Sequence, residues 1–407
     1  MPLTPRESDR WKVRARGLQA SARRFSPRDF VQRLGWLLTG ARQRVVSLQP
    51  MGAVRGRVLF SFIIEPFLLP PGRVSHAHTH DWESLRMVQT FLDAGYAVDV
   101  TRWSNLSFEP VQHYDVFVDV RLNLERLAPK MPAHCRKVMH IETAHPSVHN
   151  AAQLKRLQEL RERRGIDLAP FKLIEDNHAI EHADCATCLG NEFTMESYAF
   201  AGKPITRIPI SVPFTYPWPE RKSFESVRRT WLWFGSEGFV HKGLDLVLEA
   251  FAGMPDFTLY VCGPMEREPE FQQAFYEELY RTPNIRTLGW VDVGGARFRD
   301  VANRSLGLIY PSCSEGGGGS VYTCMHAGLI PVVSRESSVD VDASYGCLLK
   351  DCRVETLRDE VRRFGDMSPA DLKTMAERAW SFARAHHTRE AFAEAYRNFV
   401  ADLVRAS

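Results

Sequence analysis

Residues 310–334 read Tyr-Pro-Ser-Cys-Ser-Glu-Gly-Gly-Gly-Gly-Ser-Val-Tyr-Thr-Cys-Met-His-Ala-Gly-Leu-Ile-Pro-Val-Val-Ser. An apolar run, Leu306 to Tyr310, leads into one acid, Glu315, and then into four consecutive glycines, Gly316 to Gly319. A helix-length segment follows, and Gly328 and Pro331 punctuate the way into a second apolar run. Glycines at a strand-to-helix junction let the backbone come close to a ligand, and free N–H groups at a helix start attract anions. The stretch therefore predicts a parallel strand–loop–helix unit whose loop cradles phosphate and sugar hydroxyls.

The same alternation continues outward in both directions. Strands are expected at Trp231–Phe234, Thr258–Cys262, Ile285–Leu288, Leu306–Tyr310, Ile330–Val333 and Cys347–Leu349, with room for a helix between most pairs. The first half reads alike, with strands at Val58–Ile64, Ala97–Val100, Val116–Val120, Arg136–Ile141, Cys185–Leu189 and Arg207–Pro209. Helices are expected at Trp82–Ala94, closed by Gly95, and at Asn150–Arg164 and Asp176–Ala183. A Pro-rich segment, Pro209 to Pro219, interrupts the pattern as a domain linker would. The expected organisation is a basic N-terminal extension over 1–56, a first domain over 57–212, a linker over 213–229, a second domain over 230–370 and helices over 371–407 that can pack back on the first domain. The fold class is α/β, with two Rossmann-like domains facing a cleft and ligands at the carboxyl ends of the strands.

Composition narrows the function classes. With 407 residues, 44% apolar and 25% charged, the chain can build two cores, and global disorder is excluded. No apolar run reaches membrane-spanning length, and the N-terminus shows no secretory signal pattern, so a cytoplasmic location is expected. The eight cysteines are scattered; the pair Cys185 and Cys188 reads as structural thiols rather than as half of a zinc site. Residues 1–57 carry 13 Lys/Arg against 3 Asp/Glu, whereas the whole chain has a net charge of only +3. Within that arm Phe30, Leu34, Leu37, Leu38, Ala41 and Val45 recur at helical spacing beside Arg33, Arg42 and Arg44. Two readings stay open: a basic amphipathic helix lying on the inner, anionic face of a membrane, or a solvated or domain-packed helix. Nucleic acid is not an expected partner, because the rest of the chain is acidic.

Several motifs follow one another in a specific order. Trp-Leu-Trp-Phe-Gly-Ser-Glu-Gly-Phe-Val-His-Lys-Gly-Leu-Asp (231–245) precedes Leu-Tyr-Val-Cys-Gly-Pro (259–264), Asn-Ile-Arg-Thr-Leu-Gly-Trp-Val (284–291), Tyr-Pro-Ser-Cys-Ser-Glu (310–315) and Gly-Leu-Ile-Pro-Val-Val-Ser (328–334). This order resembles the donor domain of retaining GT-B glycosyltransferases of family 4, over essentially all of 231–350. Residues 191–209 resemble, more loosely, the segment before that family's interdomain linker.

The resemblance implies a sugar transferred with retention from a nucleotide diphosphate donor, UDP- or GDP-linked, to a glycan or lipid-linked acceptor, as in cell-surface polysaccharide synthesis. It implies no required cofactor and no metal. Lys242 would face the donor diphosphate and Glu315 the donor sugar hydroxyls. Gly235, Ser236, Gly263, Trp290, Val291, Gly318, Gly319, Ser320 and Thr323 would line the donor site. In the first domain His140 would stand near the donor sugar, with His145 as its rival, and His78, His80 and His145 would face the acceptor. Two departures weaken the pattern. Thr323 stands where the family has a second glutamate for the ribose, and Ser236 follows Gly235 where an arginine is frequent. A hydroxyl cannot grip a diol bidentately, and a serine removes one positive charge from the phosphates. These gaps admit an alternative, a catalytically weak nucleotide- or glycan-binding relative. A further alternative, a metal-dependent hydrolase, rests on His76, His78 and His80, since alternate residues of a strand share a face.

Overall fold

The computed structural model describes residue 40 and residues 43–70 and 79–405. Thirteen strands are described there, in two sheets. The first contains β1 (Val46–Leu48), β2 (Gly56–Phe62), β3 (Tyr96–Arg102), β4 (Val116–Asp119), β5 (Arg136–Ile141), β6 (Cys185–Cys188) and β7 (Ile205–Arg207), in the order β1-β3-β2-β4-β5-β6-β7. The second contains β8 (Thr230–Phe234), β9 (Thr258–Cys262), β10 (Ile285–Gly289), β11 (Gly307–Tyr310), β12 (Ile330–Val333) and β13 (Cys347–Leu348), in the order β10-β9-β8-β11-β12-β13. Every pairing is parallel except β1 with β3, where Val46 faces Val100. The β1 strand lies inside the expected 1–56 extension, so the first sheet begins earlier than the sequence pattern placed it. Three residues with one exposed serine between two aliphatics are too short to read as a strand without the partner that pairs them. The hydrophobic residues 30–39 of the expected basic helix lie outside the described residues, as do Ala41 and Arg42.

Helices of eight residues or more among the described residues are α1 (Thr79–Asp93), α2 (Pro146–Arg164), α3 (Leu244–Ala252), α4 (Ala296–Asn303), α5 (Gly319–His326), α6 (Val354–Asp366), α7 (Pro369–His386) and α8 (Arg389–Arg405). Central strands are buried throughout, as the continuous runs Val58–Phe62 and Trp231–Phe234 require of strands covered on both faces. Gly95 closes the turn after α1 with φ +88, a conformation that suits glycine.

Three features fix the two domains against each other. Helix α2 belongs to the first domain, yet its Leu160 is buried in the core of the second. Arg163 of α2 pairs with Asp245 and Glu249 of α3 at 2.8 and 2.9 Å, and buried Arg156 donates to the Pro311 carbonyl at 3.0 Å. The segment between the domains is pinned by α7, where Trp380 Nε1 donates to the Tyr216 carbonyl at 3.0 Å. Finally α8 crosses back and packs on α1, with Phe392 5.9 Å from Trp82 and Tyr396 6.2 Å from Phe91 between ring centroids. No helix among the described residues is long and apolar enough to cross a membrane.

Candidate active site

Each sheet reverses its strand order at one point, and the loops that leave the sheet there diverge and open a crevice. In the second sheet that point lies between β8 and β11, since β8 has β9 on its other side. Lys242 follows β8 and Glu315 follows β11, so the two sides of the reversal supply the acid and the cation. In the first sheet the reversal lies between β2 and β4. Thr79 and His80 open the helix after β2, Arg121 follows β4, and Glu142 follows β5. All of these line one cleft of about 830 Å³ between the domains.

On the second-domain side, Lys242 Nζ donates to Glu315 Oε1 at 2.7 Å. The Tyr310 hydroxyl at 2.8 Å and the Ser312 hydroxyl at 3.2 Å donate to the same oxygen. Burial would push the Glu315 carboxyl up, but the Lys242 charge and hydrogen bonds outweigh it and hold the group down at about 2. With Oε1 so occupied, Oε2 has no hydrogen-bond partner among the described residues and is the oxygen left for a ligand.

Gly316, Gly318 and Gly319 of the loop differ in what surrounds them. A Cβ on Gly316 would lie 2.1 Å from the Glu142 carbonyl oxygen, so here the two domains touch backbone to backbone. Gly318 has φ +59 and caps α5 beside a Val339 methyl 2.1 Å from where its Cβ would stand. Gly319 opens the helix with its nearest side chains at 3.4 and 3.8 Å, which leaves its N–H end free for a close ligand. Gly235 keeps clear of the Trp233 ring and of the Lys242 stem.

On the first-domain side a chain of charges crosses the cleft floor. Arg121 pairs with Glu142, and Glu142 Oε2 lies 3.5 Å from His80 Nε2. His80 Nδ1 lies 2.9 Å from buried Glu83, whose other oxygen accepts the Ser211 N–H and hydroxyl at 2.9 and 2.8 Å. Burial alone would lower His80, but the hydrogen bond and charge of Glu83 and the charge of Glu142 raise it above its ordinary range. Burial would raise Glu142, and Arg121 and His80 bring it down to about 2. The imidazole thus lies between two carboxylates, both of which favour its charged form. His149 bridges the domains, 3.1 Å from the Ser314 hydroxyl and 4.7 Å, ring to ring, from His241.

The structure brings together in this cleft Lys242, Glu315, Gly235, Ser236, Trp290, Gly318, Gly319, Ser320, Thr323 and His80. Thr323 is there, but its hydroxyl donates back to the Gly319 carbonyl at 2.8 Å, so it is committed to the helix. Trp290 is 45% exposed and has Arg267 over its face at 5.8 Å. Gly263 packs against the Gly235 carbonyl and Val291 is buried; neither lines the cleft. His140, at the end of β5, is fully buried, bonded to Thr187 at 2.8 Å, and pushed down to about 4 by burial. It is a core histidine, and it does not line the cleft. His145 caps α2 and sits edge-on between Tyr198 and Phe200, also off the cleft. His76 and His78 lie outside the described residues, and both ring nitrogens of His80 face carboxylates. No metal-ligating cluster of three is present among the described residues.

Sequence reasoning missed Arg121, Glu142, His149 and Lys172. A signal existed for the first two, a charged residue directly after an apolar strand, where open α/β sheets place ligands. Lys172 follows no strand and belongs to no motif.

No family model matches the chain, and no curated protein matches it in sequence. Solved structures do match. Sucrose-phosphate synthase from Thermosynechococcus elongatus superposes with a TM-score of 0.63 at 15% identity, covering 88% of this chain and 100% of that one. Anabaena HepE, in complex with UDP and glucose, gives 0.53 at 10% identity over 86% and 100%. Trehalose-6-phosphate synthase, studied for glycosyltransfer with retention, gives 0.55 at 10% identity over 86% and 99%. Two parallel-sheet domains facing one cleft, superposable on these enzymes over nearly their whole length, give this chain the GT-B glycosyltransferase fold.

Proposed function

We propose that this protein is a glycosyltransferase that moves a hexose-type sugar from a nucleoside diphosphate donor to a glycan or lipid-linked acceptor, with retention. The observation that carries the proposal is the Lys242–Glu315 pair beside the Gly316–Gly319 loop, at the strand-order reversal of the second sheet and facing the first domain. Lys242 keeps two further N–H groups for the diphosphate, where a cation stabilises the charge that develops as the anomeric C–O bond breaks. Glu315 Oε2 accepts from a sugar hydroxyl and orients the ring. No side chain stands out as a nucleophile, so the departing phosphate oxygen takes the acceptor hydroxyl proton while that hydroxyl bonds to the same face of the anomeric carbon. His80 and Glu142 sit opposite, on the acceptor side. UDP beside HepE and retention in trehalose-6-phosphate synthase support a UDP donor and this stereochemical course. The basic arm supports a cytoplasmic, membrane-peripheral location, which fits a lipid-linked acceptor in cell-surface polysaccharide assembly.

A second reading, a nucleotide- or glycan-binding relative with little turnover, is favoured by the committed hydroxyl of Thr323 and by Ser236. The deciding experiment supplies UDP- and GDP-hexoses with a panel of glycan and lipid acceptors and follows product and its anomeric configuration. Transfer with retention is expected, lost by 100-fold or so in Lys242→Ala and Glu315→Ala, since each removes a charged partner of the transition state. Tight nucleotide binding without product in the wild type favours the second reading, and undiminished rates in both variants refute the site.

A further inference from the structure

We infer that Lys172, on the first domain, supplies the positive charge at the donor phosphates that the second domain lacks at Ser236. The inference rests on the donor-site reading above and adds a ligand to it from across the cleft. Lys172 lies in the segment after α2. Its backbone is fixed on that helix, with its N–H donating to Gln153 at 3.2 Å and its carbonyl 2.8 Å from His149 Nε2. Helix α2 is in turn gripped by the second domain through Leu160, Arg156 and Arg163. From this anchored position the Lys172 stem crosses the domain boundary and lies over Gly238, its Cγ 2.8 Å and its Cε 3.1 Å from where a Cβ would stand. Gly238 belongs to the loop after β8 that also carries Ser236 and Lys242. A side chain at 238 would exclude the lysine, and φ +87 already suits glycine there.

The two cleft lysines differ in their partners. Lys242 is paired with Glu315, whereas no carboxylate lies within ion-pair distance of Lys172 among the described residues. Burial, and then the Lys242 charge, lower Lys172, and the charges of Glu315, Glu237 and Glu268 near it only partly offset them, so an anion placed between the two lysines would favour the Lys172 charge. The exposed Ser236 brings no charge to the same wall. A diphosphate accounts for all of this: an unpaired cation, a glycine that admits its stem, and a missing cation on the facing loop. It also makes donor binding bridge the domains, because one phosphate ligand comes from each.

Lys172→Met tests the assignment, since methionine keeps most of the packed stem and removes the charge. Binding of UDP, GDP and uridine to the full chain would be measured by calorimetry, with transfer followed in parallel. The expected result is a loss of nucleoside diphosphate affinity of roughly 10- to 100-fold, the size of one charge-assisted contact, with uridine binding unchanged and a shallower salt dependence. Ser236→Arg in the Lys172→Met background should restore most of the loss by returning the charge from the other wall, which a merely structural role for Lys172 would not allow. Undiminished affinity in Lys172→Met overturns the inference while leaving the donor-site reading standing, and so does equal weakening of uridine. A wild type that binds neither UDP nor GDP overturns both.

Discussion

At Gly316 the backbone of the donor loop touches the backbone at Glu142, and nothing larger than hydrogen fits between them. Gly316→Ala would push the two loops apart at a cost on the order of 1–3 kcal/mol, because neither backbone can yield as a flexible side chain would. The expected outcome is a folded protein with a lowered melting temperature and strongly reduced transfer. Gly319→Ala, whose neighbours stand at 3.4 and 3.8 Å, should melt essentially as the wild type does. Equal melting of the two variants would refute this reading of Gly316. Single residues show how far the sequence could be read. Glu315 and Lys242 were legible because each lies in a motif that begins with or follows an apolar strand. His140 was named on similar grounds, as the residue before the last of β5, but its ring bonds to Thr187 and is buried in the core, and no pattern fixes which of a strand's last residues faces the cleft. The missed Lys172 is the opposite case, placed by the path of α2 across the domain boundary rather than by anything local.

Among the elements, α8 carries the clearest structural burden. Phe392, Tyr396, Phe399, Val400 and Leu403 are buried, and their partners Trp82 and Phe91 lie in the first domain. Burying five such side chains contributes on the order of 10 kcal/mol, comparable with the whole net stability of a domain. A chain ending at residue 388 is therefore expected to lose cooperative unfolding of the first domain while the second keeps its own transition. Calorimetry of the truncated and full chains checks this, and two intact transitions in the truncated chain would rule it out. Elements were more legible than their contacts. The strands of the second sheet fall within a residue or two of the sequence reading, because parallel strands buried on both faces leave continuous apolar runs. The short edge strand β1 left no such run.

Across the whole molecule, buried titratable groups oppose one another. Burial lowers His140 to about 4 and His241 and His387 to about 3, against an ordinary 6.5. A lowered histidine contributes stability that is complete above the unfolded value and is lost as pH falls toward the folded one. Burial also raises Asp119 and Asp245 to about 6 and Glu268 to about 7. A raised acid acts in the opposite direction and gains stability as pH falls through the folded value to the unfolded one. Burial lowers His145, His149 and His326 as well, so between pH 6.5 and 4.5 six histidines lose stability against three acids that gain it. Below pH 4.5 the Glu268 gain ends, those of Asp119 and Asp245 end near their ordinary 3.8, and Glu142 and Glu315, both held at about 2, begin to lose their contribution as well. The urea midpoint should therefore decline gently from pH 6.5 to 4.5 and fall steeply below. A midpoint unchanged between pH 6.5 and 3.5 would contradict this sum.

The return of α8 to the first domain also bears on how the chain is made. A ribosome delivers the first domain early, with the apolar face of α1 complete but nothing to cover it. That face stays open until the second domain has emerged and α8 has followed it. During this interval the nascent chain offers a sticky surface to chaperones and to its neighbours on the same messenger, so folding yield in the cell should depend on how quickly residues 230–405 are translated.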